Sequence, residues 1–210
     1  MEPQFWHERW QHNEIGFHAA EANPLLVEHC GALSLDAGDR VFVPLCGKTL
    51  DIHWLLSQGC RVAGAELSEK AVQALFTEMG VIPEISERGA LQLYRSDAVD
   101  IFVGDIFQLM ASELGKVQAM YDRAALVALP APMRERYAAH LRDLTATAPQ
   151  LLLCFEYDQR EMEGPPFSIS DEEVAQHYAE HYSLQKLASR PVAGGLKGQC
   201  VARENVWLLG

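Results

Sequence analysis

The sequence predicts an α/β fold with a mostly parallel sheet and an antiparallel strand pair at its C-terminal end. Two observations carry the prediction. Short apolar runs rich in β-formers alternate with helical segments along most of the chain, the pattern of parallel strands joined by helical crossovers. The last two such runs, 183–188 and 199–209, are joined by the Gly194-Gly195 turn region instead, which brings the chain back antiparallel. No repeat, low-complexity tract or flexible linker interrupts the 210 residues, so one domain over 1–210 is expected.

Each element has a local reason. Residues 1–35 read as helical, with Asn23-Pro24 opening a stretch whose Leu25, Leu26 and Val27 precede the stop at Gly31. Residues 40–45 form a buried-type strand that ends at Cys46-Gly47. Helix 50–57 puts Leu50, Trp54 and Leu55 on one face and stops at Gly59, before a second strand over 61–67. Ser68 caps a helix that runs to Met79 and ends at Gly80. A hairpin-like stretch around 91–94 leads to a third core strand, 100–103, ending at Gly104-Asp105. A fourth, 117–121, ends at Asp122-Arg123. A long helix over 132–145 and a strongly apolar strand over 150–157 follow. Ser170, with Glu173 three residues on, reads as a capping box for the next helix.

Charge and cysteine usage exclude several classes of function. The 17 Lys and Arg against 29 Asp and Glu give a net charge of -12, which argues against nucleic-acid and membrane-surface partners. Five scattered cysteines, at 30, 46, 60, 154 and 200, without a CxxC pair, argue for reduced thiols rather than a disulfide framework or zinc cage. Neither a signal peptide nor an apolar run long enough to cross a membrane is present in the sequence, so a cytoplasmic protein is expected. His177 and His181 are spaced i, i+4 but lack the acid and third ligand of a metal site, so they read as a solvated helix face and no metal is expected.

Parallel sheets bind ligands at the carboxyl ends of their strands. There the first strand ends in Pro44-Leu45-Cys46-Gly47-Lys48-Thr49, the second in Glu66, 21 residues after Leu45, and the third in Gly104-Asp105. A tight turn followed about twenty residues later by an acid suits a nucleoside, whose ribose hydroxyls the carboxylate accepts. Phosphate cradles fail: a Walker loop needs glycine where Phe42 stands, and no second glycine follows Gly47 for a dinucleotide fingerprint. A nucleoside cofactor without phosphates survives this elimination, and S-adenosylmethionine is the common one.

Several motifs, in order along the chain, resemble the thiopurine S-methyltransferase family. They are Trp6-His7-Glu8-Arg9-Trp10, Ile15-Gly16-Phe17-His18, residues 41–48, Tyr121-Asp122-Arg123-Ala124-Ala125-Leu126 and Gly164-Pro165-Pro166-Phe167. The resemblance implies a Rossmann-like class I methyltransferase fold of the seven-stranded type, with residues 1–35 as a helical cover. It also implies methyl transfer from S-adenosylmethionine to a small-molecule thiol, and for bacterial members a link to selenium and tellurium methylation; a monomer is expected. Carried over by position, cofactor contacts fall on Trp10, Leu45, Gly47, Glu66 and Arg123, with Asp105 and Ile106 near the adenine. Acceptor contacts fall on Phe17, Arg123 and Arg190. Arg123 is the expected catalytic residue, favouring the acceptor thiolate; its structural alternative is an ion pair with Asp122 or Asp105. A methyltransferase for an oxygen, nitrogen or halide acceptor, and a non-catalytic cofactor- or metalloid-binding protein, stand as alternatives.

Overall fold

The computed structural model describes residues 3–12, 14–16 and 18–210. The chain divides into two compact units, residues 1–120 and 121–210.

The first unit opens with helices α1 (Pro3–Gln11) and α2 (Pro24–His29), the latter capped by the Asn23 side chain, which accepts from the Leu25 N–H. It continues through β1 (Arg40–Pro44), α3 (Leu50–Ser57), β2 (Arg61–Glu66), α4 (Glu69–Met79), β3 (Glu84–Arg88), β4 (Leu91–Arg95), β5 (Val99–Val103) and α5 (Ala111–Leu114). Strands β1, β2 and β5 run parallel, with β2 between the others. The first residues of β6 (Ala119–Arg123) pair parallel with β1 through Val41↔Ala119 and Phe42↔Met120. The parallel strands are buried on both faces, which their continuous Val, Ala, Ile and Phe runs require. Helices α3 and α4 bury Ile52, Leu55, Val72, Leu75 and Phe76. Gly64 in mid-β2 is fixed by packing: a Cβ there would lie 2.7 Å from Ile101 Cδ1 and 2.9 Å from Cys46 Sγ.

The second unit holds the end of β6, then α6 (Ala131–Thr145), β7 (Gln150–Tyr157), α7 (Asp171–Tyr178), β8 (Leu184–Pro191) and β9 (Ala202–Leu209). Strand β9 pairs antiparallel with both β7 and β8, so the antiparallel C-terminal pair appears as expected. The core of this unit gathers Tyr137, Leu141, Leu151, Leu152, Tyr178 and Val206. Arg134 of α6 is also buried, and its guanidinium grips both oxygens of Glu173 at 2.6 and 3.2 Å and the Leu129 carbonyl at 2.9 Å.

Several expectations shift. The hairpin β3–β4 brings the strands to nine among the described residues, and β3 escaped the pattern because it is almost entirely exposed. Strand β6 starts at Ala119, two residues later than expected, and Arg123 is its last residue, not one beyond it. Ser170 does cap α7 through the Glu173 N–H, but the Glu173 carboxylate turns to Arg134 and His177 instead of completing the box. His177 is thus not on a solvated face: its side chain is 6% exposed and contacts Glu173 at 3.2 Å.

Candidate active site

The carboxyl ends of β1 and β2 form one constellation. Leu45, just after β1, has φ +47, the left-handed region that a branched side chain rarely enters, and Gly47 has φ +53. Non-glycine strain of this kind concentrates at ligand sites. Glu66, the last residue of β2, holds the turn in place. One carboxylate oxygen accepts from the Gly47 N–H at 2.7 Å, and the other accepts from the Ser68 N–H at 2.8 Å. Burial pushes the Glu66 carboxyl upward, and the three backbone donors that face it, at Ser68, Gly47 and Leu67, oppose the shift. A carboxylate has about four lone-pair sites, so acceptor capacity remains after these bonds.

This geometry decides which ligand the turn suits. In a phosphate cradle the turn's amides point at the anion. Here the Gly47 N–H is taken by a carboxylate, so a phosphate would meet an acid where it needs a donor. A sugar hydroxyl, which donates, fits the same oxygens. Trp10 of α1 closes the turn from above: its ring lies so near that a Cβ at Gly47 would stand 3.1 Å from Trp10 Cζ2. Trp10 is 6% exposed, so it packs into the core, as one of the two expected roles requires. A cavity of about 390 Å³ lies alongside, lined by His7, Trp10 and Gln11 of α1 and by Leu67, Ser68 and Val103 at the ends of β2 and β5. Glu69 and Lys70 also line it, whereas Leu45, Gly47 and Glu66 do not. Cys46 is buried in the turn; burial and the neighbouring Glu66 push its thiol well up, so it serves as a small packing residue.

After β5, Asp105 is exposed and caps a short 3₁₀ turn, Ile106–Gln108, by accepting from the Phe107 N–H at 3.0 Å. Ile106 is buried. In the second unit Arg123 is half-buried at the end of β6. Its neighbour Asp122 is not an exposed ion-pair partner: it is 0% exposed and accepts from the Leu126 N–H at 3.1 Å and the Tyr137 hydroxyl at 2.8 Å. Arg190 is exposed near the end of β8, opposite Glu204 in the ladder. Phe17 lies outside the described residues. Sequence reasoning missed the backbone-holding task of Glu66 and the role of Asp122. His7 and Gln11, which line the cavity, were not singled out from the sequence, although they are spaced i, i+4 on one short helix.

The chain is 58% identical over 210 residues to a protein of Xanthobacter autotrophicus named thiopurine S-methyltransferase, covering 100% of this chain and 99% of that one. A protein of the same name from Teredinibacter turnerae is 52% identical, covering 100% and 97%. Among solved structures, the 1,6-didemethyltoxoflavin-N1-methyltransferase of Burkholderia thailandensis, bound to S-adenosylhomocysteine, is similar with a TM-score of 0.67 at 16% identity, covering 99% of this chain and 86% of that one. The magnesium protoporphyrin IX methyltransferase of Synechocystis, also with S-adenosylhomocysteine, gives 0.63 at 14% identity and covers 100% of both chains. These show a methyltransferase fold. The family model described as thiopurine S-methyltransferase matches residues 1–206, and the chain belongs to that family.

Proposed function

We propose that this protein transfers a methyl group from S-adenosylmethionine to the sulfur of thiopurines and other aromatic or heterocyclic thiols. The observation that carries the reading is Glu66, a buried carboxylate with acceptor capacity to spare, set beside a strained turn whose amide it has already claimed. Relatives named for the thiopurine activity, at 52–58% identity over nearly their whole length, support the choice of acceptor.

When bound, S-adenosylmethionine supplies an electrophilic methyl group on a cationic sulfur. The chain's own residues do the rest. Glu66 accepts the ribose hydroxyls, and the turn from Leu45 to Gly47 shapes the backbone beside it. Trp10 offers an aromatic face to the cationic end, since such faces attract onium groups. Ile106 gives the adenine an apolar wall, and Asp105 accepts from its amino group. Arg123 stabilises the acceptor as thiolate, because a nearby cation lowers the pKa of an acid. An aromatic thiol is acidic enough to need alignment and charge stabilisation rather than a strong base. The family resemblance supports acceptor contacts for Phe17 and Arg190 and a covering role for residues 1–35. In support of the cover, α1 sets Trp10 against Gly47 and its Gln11 carbonyl accepts from Lys70 of α4 at 3.3 Å.

We propose further that the protein is a cytoplasmic monomer and that selenium and tellurium species are among its acceptors. Consistent with the location, no helix among the described residues is long and apolar enough to cross a membrane. One assay tests the function: methyl-labelled S-adenosylmethionine offered with a panel of thiopurines, thiophenols, phenols, amines, selenite and tellurite. Label in the sulfur products supports the reading. Label only in oxygen or nitrogen products, or none at all, overturns it.

A further inference from the structure

We propose that Asp122 is the positioning residue of Arg123, its buried carboxylate fixing the turn from which the guanidinium is presented. The inference rests on the reading that Arg123 serves the acceptor thiolate. Strand β6 ends Tyr121-Asp122-Arg123 and the chain then turns sharply, with Ala124 at φ +60, a conformation that a residue other than glycine adopts only when its surroundings hold it there. The Asp122 side chain supplies that hold. It reaches across the turn to accept from the Leu126 N–H at 3.1 Å, with the Ala125 N–H also directed to it, and its second oxygen accepts from the Tyr137 hydroxyl of α6 at 2.8 Å. Residues 125–129 are buried like Asp122, while Arg123 and Ala124 are the two half-buried positions between them. The staple therefore fixes both sides of the one stretch that emerges.

The cost of this arrangement argues that it has a purpose. The groups that face Asp122 are the Tyr137 hydroxyl from α6, the Tyr178 hydroxyl from α7 and the Cys154 thiol from β7, each pushed upward by its own burial and then by the carboxylate's charge. Burial pushes the Asp122 carboxyl itself up to about 6. An asparagine or a hydrophobic residue would fill the site without that penalty. Only the ionised form leaves both oxygens free of a proton to accept from the Leu126 and Ala125 N–H groups and the Tyr137 hydroxyl. Below about pH 6 the carboxyl carries a proton on one of these oxygens, so one of the bonds that hold the turn is given up or reversed.

The test is a double-mutant cycle in the full chain, with turnover of a thiopurine measured at saturating S-adenosylmethionine. Asp122→Asn keeps the shape and one acceptor oxygen. It should lower kcat about tenfold while leaving the KM for S-adenosylmethionine within about twofold, and have no further effect when Arg123 is already alanine. The wild-type kcat should also show an acid limb near pH 6 that keeps its position when a thiol of different acidity is used, and that is absent in Asp122→Asn. Tyr137→Phe, which leaves the carboxylate and its backbone bonds in place, gives a second reading that does not depend on Asp122→Asn folding: a smaller loss, again only with Arg123 present. Equal losses with and without Arg123, or no loss from either substitution, would reduce Asp122 to a structural residue and overturn the proposal. If Arg123→Ala alone leaves turnover unchanged, it is the role of Arg123 that fails, and the positioning role falls with it.

Discussion

Glu66→Gln separates the two tasks that the structure gives this residue. The side chain is buried, and its two oxygens accept from the Gly47 N–H at 2.7 Å and the Ser68 N–H at 2.8 Å. An amide of the same shape opens no cavity but sets an NH₂ against one of these donors, leaving one buried N–H unpaired. That costs about 1–3 kcal/mol of folding stability. The bonds to the ribose are a second quantity: hydrogen bonds to a charged acceptor contribute about 1.5–3 kcal/mol, so affinity for S-adenosylhomocysteine should fall roughly tenfold to a hundredfold. Calorimetric titration gives the second number and thermal unfolding gives the first. The sign with pH follows from burial, which raises the carboxyl and so favours its protonated form in the folded chain. Wild-type stability therefore falls as pH rises through the raised pKa, while ribose binding, which needs the ionised form, strengthens over the same window. Both dependences should flatten in the amide variant. A lowered melting temperature with unchanged affinity would leave Glu66 as a turn-holding residue and remove it from the ribose.

Gly47→Ala should destabilise the chain by about 1 kcal/mol from the backbone alone, since φ is +53 there. Its new methyl, 3.1 Å from Trp10 Cζ2, should also displace the indole, which unfolding and tryptophan fluorescence together detect; unchanged fluorescence would mean that the ring does not bear on the turn. Arg123→Ala should cut turnover of an aromatic thiol and move the onset of activity to higher pH, with Arg123→Lys restoring part of both, because lysine keeps the charge and loses the planar fork. A pH profile at saturating cofactor that does not move would make Arg123 a binding residue only.

Much of the fold was legible in the sequence because its elements carry local punctuation. Helix α4 sits between Ser68 and Gly80 as the cap rules require, α3 spans the expected 50–57, and β7 is the expected 150–157. Strand β3 lacked such a signal, since Glu84, Ser86, Glu87 and Arg88 give no apolar alternation and its pairing comes from β4 alone. The start of β6 was placed two residues early because Val117 extends the apolar run ahead of the strand, which begins at Ala119. His177 looked solvated because its i, i+4 spacing from Glu173 reads as an exposed helix pair, and nothing in the sequence tells that Arg134 of another helix draws that carboxylate inward. In the site, the turn and the acid at its conventional spacing were readable, and Glu66 stands where the spacing predicts. The left-handed Leu45 was not: leucine gives no hint of it, and only a turn held from outside keeps that backbone in place.

Glu66 and Asp122 use the same device in the two units. Each is a buried acid at the carboxyl end of a parallel strand, each accepts backbone N–H groups from a neighbouring turn, and each has its carboxyl pushed upward by burial. In both cases the turn contains a non-glycine residue at positive φ, Leu45 in one and Ala124 in the other. Neither feature favours folding: burying a carboxylate costs free energy, and so does left-handed backbone. A chain selected for stability alone would place an uncharged acceptor or a glycine at such positions. What the carboxylate adds is stiffness, because charge-assisted bonds to amides are about twice as strong as neutral ones and hold the turn in a single conformation. A displacement reaction rewards that stiffness directly, since its rate depends on alignment of the reacting atoms. The same logic explains why the two acids could be ranked differently from sequence. Glu66 announces itself by its spacing from a glycine turn, whereas Asp122 stands beside an arginine that draws attention to itself as an ion-pair partner, and only the fold turns the aspartate inward.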